Sequence, residues 1–82
     1  MTRYHFSMRG AYEAGAVEHP QIEIVKFFPD ATGWEASTIG DCWFFDSARA
    51  PTADLPEYFT PFGADGRPDW HWRDAAAAKA AP

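Results

Sequence analysis

The alternation of apolar and polar residues predicts two strands in the first third of the chain. Between positions 3 and 12 the apolar side chains of Tyr4, Phe6, Met8 and Tyr12 occupy one face, and Arg3, His5, Ser7 and Arg9 occupy the other. A period of two with one apolar face is typical of a half-buried strand. A second run, Ile22 to Phe28, is apolar on both of its strand faces. It therefore predicts a central strand that is covered on both sides, or a strand with a bulge near its middle.

A β-hairpin is predicted in the middle of the chain. Two extended segments, Trp34–Ile39 and Cys42–Asp46, are separated by a Gly-Asp dipeptide. A glycine at the first central position favours a type II′ turn. In this register Glu35 lies directly opposite Asp46, although two carboxylates that face each other across strands are destabilising. Either the register differs, or this face of the sheet is solvated and negative.

Prolines limit regular structure in the last part of the chain. They stand at positions 51, 56, 61 and 68, and a proline breaks a helix interior or a central strand. Asp54 to Phe59 predicts a short helix, because Asp54 can cap it and Pro56 falls in its first turn. Residues 63–67, with the sequence GADGR, predict a loop.

Two alternatives remain for the final segment. Asp69 can cap a helix from Trp70 to about Ala80, since alanine has the highest helix propensity. Residues 70–73 also alternate like a strand, and residues 74–82 would then form a tail. We favour the helix. The whole pattern predicts a single α+β domain over residues 1–82: a small antiparallel meander of about four strands, a Pro-rich loop or short helix, and a C-terminal helix.

The composition indicates a hydrophobic core and an uneven distribution of charge along the chain. Hydrophobic residues make up 46% of the chain and aromatic residues 17%, which is enough apolar bulk for a core without disulfides. Residues 31–66 hold six carboxylates and one arginine, and this segment alone accounts for the net charge of −5. Repulsion from phosphates makes direct nucleic-acid binding through a basic patch an unfavoured function. An acidic surface suits a protein partner with a basic surface.

The remaining sequence signals concern the compartment. The chain has one cysteine, and its first ten residues lack the apolar core of a secretory signal peptide. No apolar run approaches the roughly 18 residues that are needed to span a bilayer. These features predict a cytoplasmic protein without a membrane-spanning role.

Motifs that carry catalytic or metal chemistry are not recognisable in the sequence. The three histidines and Cys42 are scattered, without the spacing of a metal site. The acidic neighbours of Cys42, at positions 41 and 46, disfavour a thiolate nucleophile. We therefore predict no metal site, no cofactor and no catalytic residues.

A protein-interaction module is the function that these features favour. Aromatic anchors surrounded by charge are typical of binding surfaces, and the predicted binding residues are Glu35, Asp41, Trp43, Asp46, Asp54, Glu57 and Tyr58. A more specific hypothesis is an inhibitor whose carboxylates replace phosphates on the nucleic-acid-binding surface of its partner. Phage-encoded inhibitors such as anti-CRISPR proteins use this principle, and the parallel is one of size and charge alone.

Two other functions remain as alternatives. The first is a small ligand-binding or acid–base enzyme domain that uses Glu35 and Asp46 in a Trp-lined pocket. The second is a single-stranded nucleic-acid binder that stacks bases on Trp70 and Trp72. The acidic charge makes the second the less favoured of the two.

Overall fold

The computed structural model describes residues 1–37 and 39–74. The elements in chain order are β1 (Thr2–Ser7), α1 (Met8–Glu13), α2 (Pro20–Phe27), β2 (Thr32–Ser37), β3 (Cys42–Ser47) and β4 (Phe59–Pro61). All strand pairs are antiparallel, and the described strands form one sheet in the order β2-β3-β1-β4. The predicted α+β class with a small antiparallel sheet is confirmed. The strand order differs from a meander, because β1 lies between β3 and β4.

Strand β1 is shorter than its alternating pattern suggests. Tyr4 and Phe6 are buried, as the alternation predicts, but the strand ends at Ser7. The Ser7 hydroxyl accepts a hydrogen bond from the Gly10 backbone N–H at 3.0 Å, so Ser7 is the N-cap of α1. The prediction that the strand continues to Tyr12 is wrong, because this cap begins a helix where the apolar spacing still resembles a strand.

The segment that predicted a second strand is helix α2. Pro20 is its first residue, the His19 side chain accepts a hydrogen bond from the Gln21 N–H, and Glu23 lies in the first turn. A proline at the first helical position and an acidic first turn both favour helix initiation. The strand prediction for Ile22–Phe28 is wrong. Residues spaced at helical intervals are buried, whereas Ile22 and Val25 point away from the core and are exposed.

The β2–β3 hairpin forms with a different register. Ser37 pairs with Cys42, and Glu35 lies opposite Phe44. The connection is therefore four residues long, positions 38–41, where the sequence predicted two. Among the described residues of this connection, Asp41 has a positive φ, at 47°. The two-residue type II′ turn and the direct pairing of Glu35 with Asp46 are both wrong.

The segments that follow β3 also depart from the prediction. Residues 53–58 form turns, and Phe59 begins strand β4, so the helix predicted for Asp54–Phe59 is wrong. The short strand places Pro61 at a sheet edge, where a missing N–H costs no ladder hydrogen bond. Of the helix predicted from Trp70 to about Ala80, residues 72–74 are helical. Residues 75–82 lie outside the described part of the chain.

The core lies between one face of the sheet and helix α2. Phe28, at the end of α2, contacts three rings on this face: Tyr4 at 4.5 Å, Phe45 at 4.9 Å and Phe59 at 5.0 Å between ring centroids. Tilted and edge-on ring pairs of this kind add to the free energy gained by burial. Leu55 and Trp72 extend the same buried cluster.

Candidate functional site

The two carboxylates that the sequence placed opposite each other are both bound by Arg3. One guanidinium nitrogen lies 2.7 Å from Glu35 Oε2, and the other lies 3.2 Å from Asp46 Oδ2. Arg3 and Asp46 are register partners on β1 and β3. Arg3 therefore largely neutralises the negative face that the sequence predicted, and this pair is not a free acidic site.

Trp43 lies on the opposite face of the sheet from these carboxylates. Its ring contacts Trp34 at 6.3 Å and His19 at 5.7 Å, and Trp34 also contacts the buried Phe45. Successive side chains of a strand point to opposite faces, so the tryptophans and the pair Glu35/Asp46 do not line a common pocket. Trp43 is a half-buried packing residue at the edge of the core.

Asp54 is engaged locally. Its carboxylate lies 2.8 Å from a guanidinium nitrogen of Arg49 and accepts a hydrogen bond from the Thr52 hydroxyl. Those two donors, the Thr52 hydroxyl first, hold the pKa of Asp54 below its ordinary value. Arg49 also donates to the Phe27 backbone carbonyl at 2.7 Å. Asp54 thus orients the arginine that ties the Pro-rich segment to the end of α2.

Tyr58 is fixed by a buried carboxylate. Its hydroxyl donates to Glu23 Oε1 at 2.8 Å, and its ring meets Phe6 edge-on at 5.6 Å. Burial, together with the hydrogen bond to the Glu23 carboxylate, raises the pKa of Tyr58 to about 12. The hydroxyl is therefore a hydrogen-bond donor at neutral pH, and the ring has one fixed position.

The remaining predicted residues, Asp41 and Glu57, lie beside helix α1. Backbone hydrogen bonds bring their segments to the start of this helix: the Met8 N–H donates to the Asp41 carbonyl, and the Ser7 N–H donates to the Tyr58 carbonyl, each at 2.9 Å. Three adjoining concavities surround α1 and share lining residues. We call this region the α1 surface, and define it as Arg9, Tyr12, Glu13, Ile39, Asp41 and Glu57.

The α1 surface combines unpaired charge with exposed apolar side chains. Among the described residues, Glu13, Asp41 and Glu57 have no ion-pair partner. Ile39 is 98% exposed and Tyr12 is 51% exposed. Tyr12 and Ile39 line adjoining concavities that share Arg9 and Asp41, so the exposed apolar groups lie beside these charges.

A groove with a volume of about 520 Å³ is the largest of the three concavities. It lies between α1 and the segment around residues 56–58, and it is lined by Ser7, Gly10, Glu13, Ala14, Pro56, Glu57 and Tyr58. Its size falls within the range of ligand pockets, roughly 300 to 1,000 Å³.

The sequence prediction missed Glu13, Tyr12 and Ile39, and it did not assign Arg3 to Glu35 and Asp46. Tyr12 was missed as part of a helix because its segment was predicted as strand, and Glu13 follows it directly. The available signal was Ser7, an N-cap residue type, followed directly by Met8 and Arg9, which favour helix. No local signal links Arg3 with carboxylates that are more than 30 positions away, because that contact depends on strand order.

The segment proposed for base stacking is largely built into the fold. Trp72 is buried in the core, and Arg73 donates to the backbone carbonyls of Leu55 and Pro56 at 2.7 Å each. Trp70 is exposed, and its ring meets the His5 ring edge-on, with 5.0 Å between the ring centroids. Trp70 and Trp72 therefore do not form one stacking platform.

Within residues 1–37 and 39–74, no three His, Cys, Asp or Glu side chains are grouped so as to hold a metal ion. In the same part of the chain no helix has the length and apolar character needed to cross a membrane. Comparison of the chain with protein-family models, with curated proteins and with solved structures gave no match.

Proposed function

We propose that this protein is an interaction module that binds the basic surface of a partner protein through its α1 surface. The observation that supports the proposal is the presence of three carboxylates without ion-pair partners among the described residues, beside exposed Tyr12 and Ile39. Elsewhere in the acidic middle of the chain, Glu35, Asp46 and Asp54 are bound by arginines, and Asp65 accepts a hydrogen bond from the Arg67 backbone N–H.

Physical complementarity defines the partner's chemistry. Arg9 is the single cation of the α1 surface, so the surface carries a net charge of −2. Such a surface attracts a positively charged partner over about one Debye length, roughly 10 Å at 0.1 M salt. The apolar side chains then exclude water from the contact and provide the affinity.

An inhibitor of a nucleic-acid-binding protein is the more specific form of this proposal. A partner whose basic surface binds phosphates presents the charge that the α1 surface complements. If the protein acts in this way, adding it to the partner lowers the partner's affinity for nucleic acid. That competition is measured directly by fluorescence anisotropy with a labelled oligonucleotide.

The first experiment compares two double variants that change the net charge equally. Glu13→Lys/Glu57→Lys reverses charge on the α1 surface, and Asp65→Lys/Asp74→Lys reverses two exposed carboxylates elsewhere. Affinity capture from a lysate of the source cells is run with wild type and both variants. We expect a salt-sensitive partner that is retained by wild type and by the control variant and lost by the α1 variant.

The opposite result would refute the proposal. If the α1 variant retains the same partners as wild type at the same salt concentration, the α1 surface does not bind them. Circular dichroism and thermal unfolding of both variants establish that each remains folded. These positions are exposed, so we expect changes in unfolding free energy of no more than about 0.5 kcal/mol per substitution.

A further inference from the structure

The groove beside α1 is lined by apolar residues and by two glutamates. Its less polar part consists of Gly10, Ala14, Pro56 and Tyr58, and Glu13 and Glu57 line the same groove. A side chain with an apolar stem and a cationic head matches such a lining, because the stem replaces water on the apolar part while the head meets the carboxylates.

The walls of the groove are fixed before any partner binds. A methyl group in place of the Gly10 hydrogen would lie 3.2 Å from Tyr58 Cβ and 3.1 Å from Ser7 Oγ, so α1 and the Tyr58 segment are already in close approach. The Tyr58 hydroxyl is bound to Glu23. A preformed wall loses little conformational entropy when a ligand binds, which favours affinity.

We propose that this groove binds an arginine side chain from a basic segment of the partner protein, a proposal that rests on the function proposed above. A guanidinium is planar, carries five donors and is weakly hydrated, so it can bridge two carboxylates and pack on an apolar lining. A lysine ammonium is a compact, strongly hydrated point charge. The apolar lining therefore favours arginine over lysine.

The direct test is a titration of the ¹⁵N-labelled protein with N-acetyl-arginine amide, followed by NMR chemical shifts at low ionic strength. We expect saturable shifts of the amide signals of Gly10, Ala14 and Tyr58, with a dissociation constant on the order of 1 mM. The uncharged isostere N-acetyl-citrulline amide and the lysine analogue should each bind at least roughly tenfold more weakly than the arginine compound. Absence of shifts at these residues, or equal binding of lysine, would overturn the proposal.

A matched pair of variants separates the groove from general charge. Ala14→Leu places a larger apolar side chain in the groove without changing charge, and Ala64→Leu makes the same change at an exposed position in the loop at 63–67. We expect Ala14→Leu to abolish the arginine-induced shifts and Ala64→Leu to leave them unchanged. Glu13→Gln/Glu57→Gln should abolish them as well while leaving the groove open. Unaltered shifts in Ala14→Leu or in the Gln variant would contradict the groove assignment.

The results of this titration and of the capture experiment are independent. If the charge-reversal variant loses its partner but arginine does not shift the groove signals, the groove proposal fails and the α1 surface remains the binding site. If partner binding is also unchanged by charge reversal, both proposals fail.

Discussion

At the scale of single residues, His5 has the least favourable surroundings for a polar group. Its Nδ1 atom is buried and has no hydrogen-bond partner among the described residues. Its ring lies between Phe44, at 5.7 Å, and Trp70, at 5.0 Å. Burial lowers the pKa of His5 below its ordinary value of about 6.5.

Acid should therefore destabilise the protein through His5. Because the folded-state pKa is lower than the unfolded-state pKa, the unfolded chain binds more protons below about pH 6.5. The free energy of unfolding then falls as the pH drops from 7 toward 5, by at most about 1.4 kcal/mol per pH unit for one proton. Urea unfolding at pH 7.0 and 5.5 measures this difference.

His5→Gln should reduce that pH dependence. The matched control is His71→Gln, since the His71 side chain is 88% exposed and pairs weakly with Asp74 at 3.8 Å. A His5→Gln variant that retains the full wild-type difference between the two pH values would show that His5 is not responsible.

At the scale of elements, β2 is an edge strand whose shape depends on Gly33. The register of β2 against β3 shifts between Thr32 and Glu35, and Gly33 has a φ of +65° within this irregularity. A Cβ at this position would lie 2.5 Å from Asp46 Oδ2. A glycine in the left-handed region here permits the bend, and such irregularities discourage pairing with other edge strands.

Gly33→Ala should destabilise the protein more than Gly66→Ala. Both glycines have positive φ, so each substitution costs about 1–2 kcal/mol in backbone strain. Space around Gly66 is open. At Gly33 the new Cβ also displaces the Asp46 carboxylate from Arg3, an additional loss of roughly 0.5–1 kcal/mol. Urea unfolding of the two variants measures the difference.

The Asp46→Ala background provides the control for this prediction. With the carboxylate removed, the two glycine substitutions should cost the same within about 0.5 kcal/mol. Equal losses already in the wild-type background would contradict the proposed displacement of Asp46.

Helix α2 shows at the same scale why the sequence prediction failed locally. In an eight-residue helix the buried side chains recur every three or four positions. If the same residues are read with the period of two of a strand, apolar side chains fall on both strand faces. The signals that distinguish the helix are the proline at its first position and Glu23 and Lys26 one turn apart. These signals were present in the sequence, whereas the burial of the Glu23 carboxylate against the Tyr58 hydroxyl depends on tertiary packing.

At the scale of the whole molecule, Arg73 connects the end of the described chain to the Pro-rich segment. It donates to the carbonyls of Leu55 and Pro56, and its guanidinium lies 4.5 Å from the Trp72 ring centroid. Trp72 and Leu55 belong to the same buried cluster. Arg73 thus holds together two segments of the core that no regular secondary structure joins.

Arg73→Met should lower the free energy of unfolding by about 1.5–3 kcal/mol, the range for hydrogen bonds that involve a charged group. Arg67→Met is the control, since the Arg67 side chain makes no hydrogen bond or ion pair within the described residues, and its effect should stay within about 0.5 kcal/mol. Urea unfolding followed by tryptophan fluorescence measures both. A loss no larger than that of Arg67→Met would show that the contacts of Arg73 do not stabilise the fold.

The charge distribution of the molecule also differs from the distribution along the chain. By sequence, the negative charge of residues 31–66 appeared as one block. In the fold, Arg3 and Arg49 compensate three of its carboxylates. The free charge beside α1 instead combines Asp41 and Glu57 with Glu13, a residue from outside that block.

The sequence by itself predicted the α+β class, although α1 and α2 occupy segments that its periodicity predicted mainly as strand. It determined the buried alternation of Tyr4 and Phe6, the extended character of both hairpin strands and the interruptions at proline, because each of these depends on periodicity or backbone chemistry within a few residues. Tertiary structure decided the β2–β3 register, the position of β1 at the sheet centre and the bridging of Glu35 and Asp46 by Arg3. The position of β1 and the Arg3 bridges depend on contacts between residues that lie 30 or more positions apart, and the β2–β3 register depends on the irregularity between Thr32 and Glu35. Their free energies arise from packing and strand order, which no local pattern encodes.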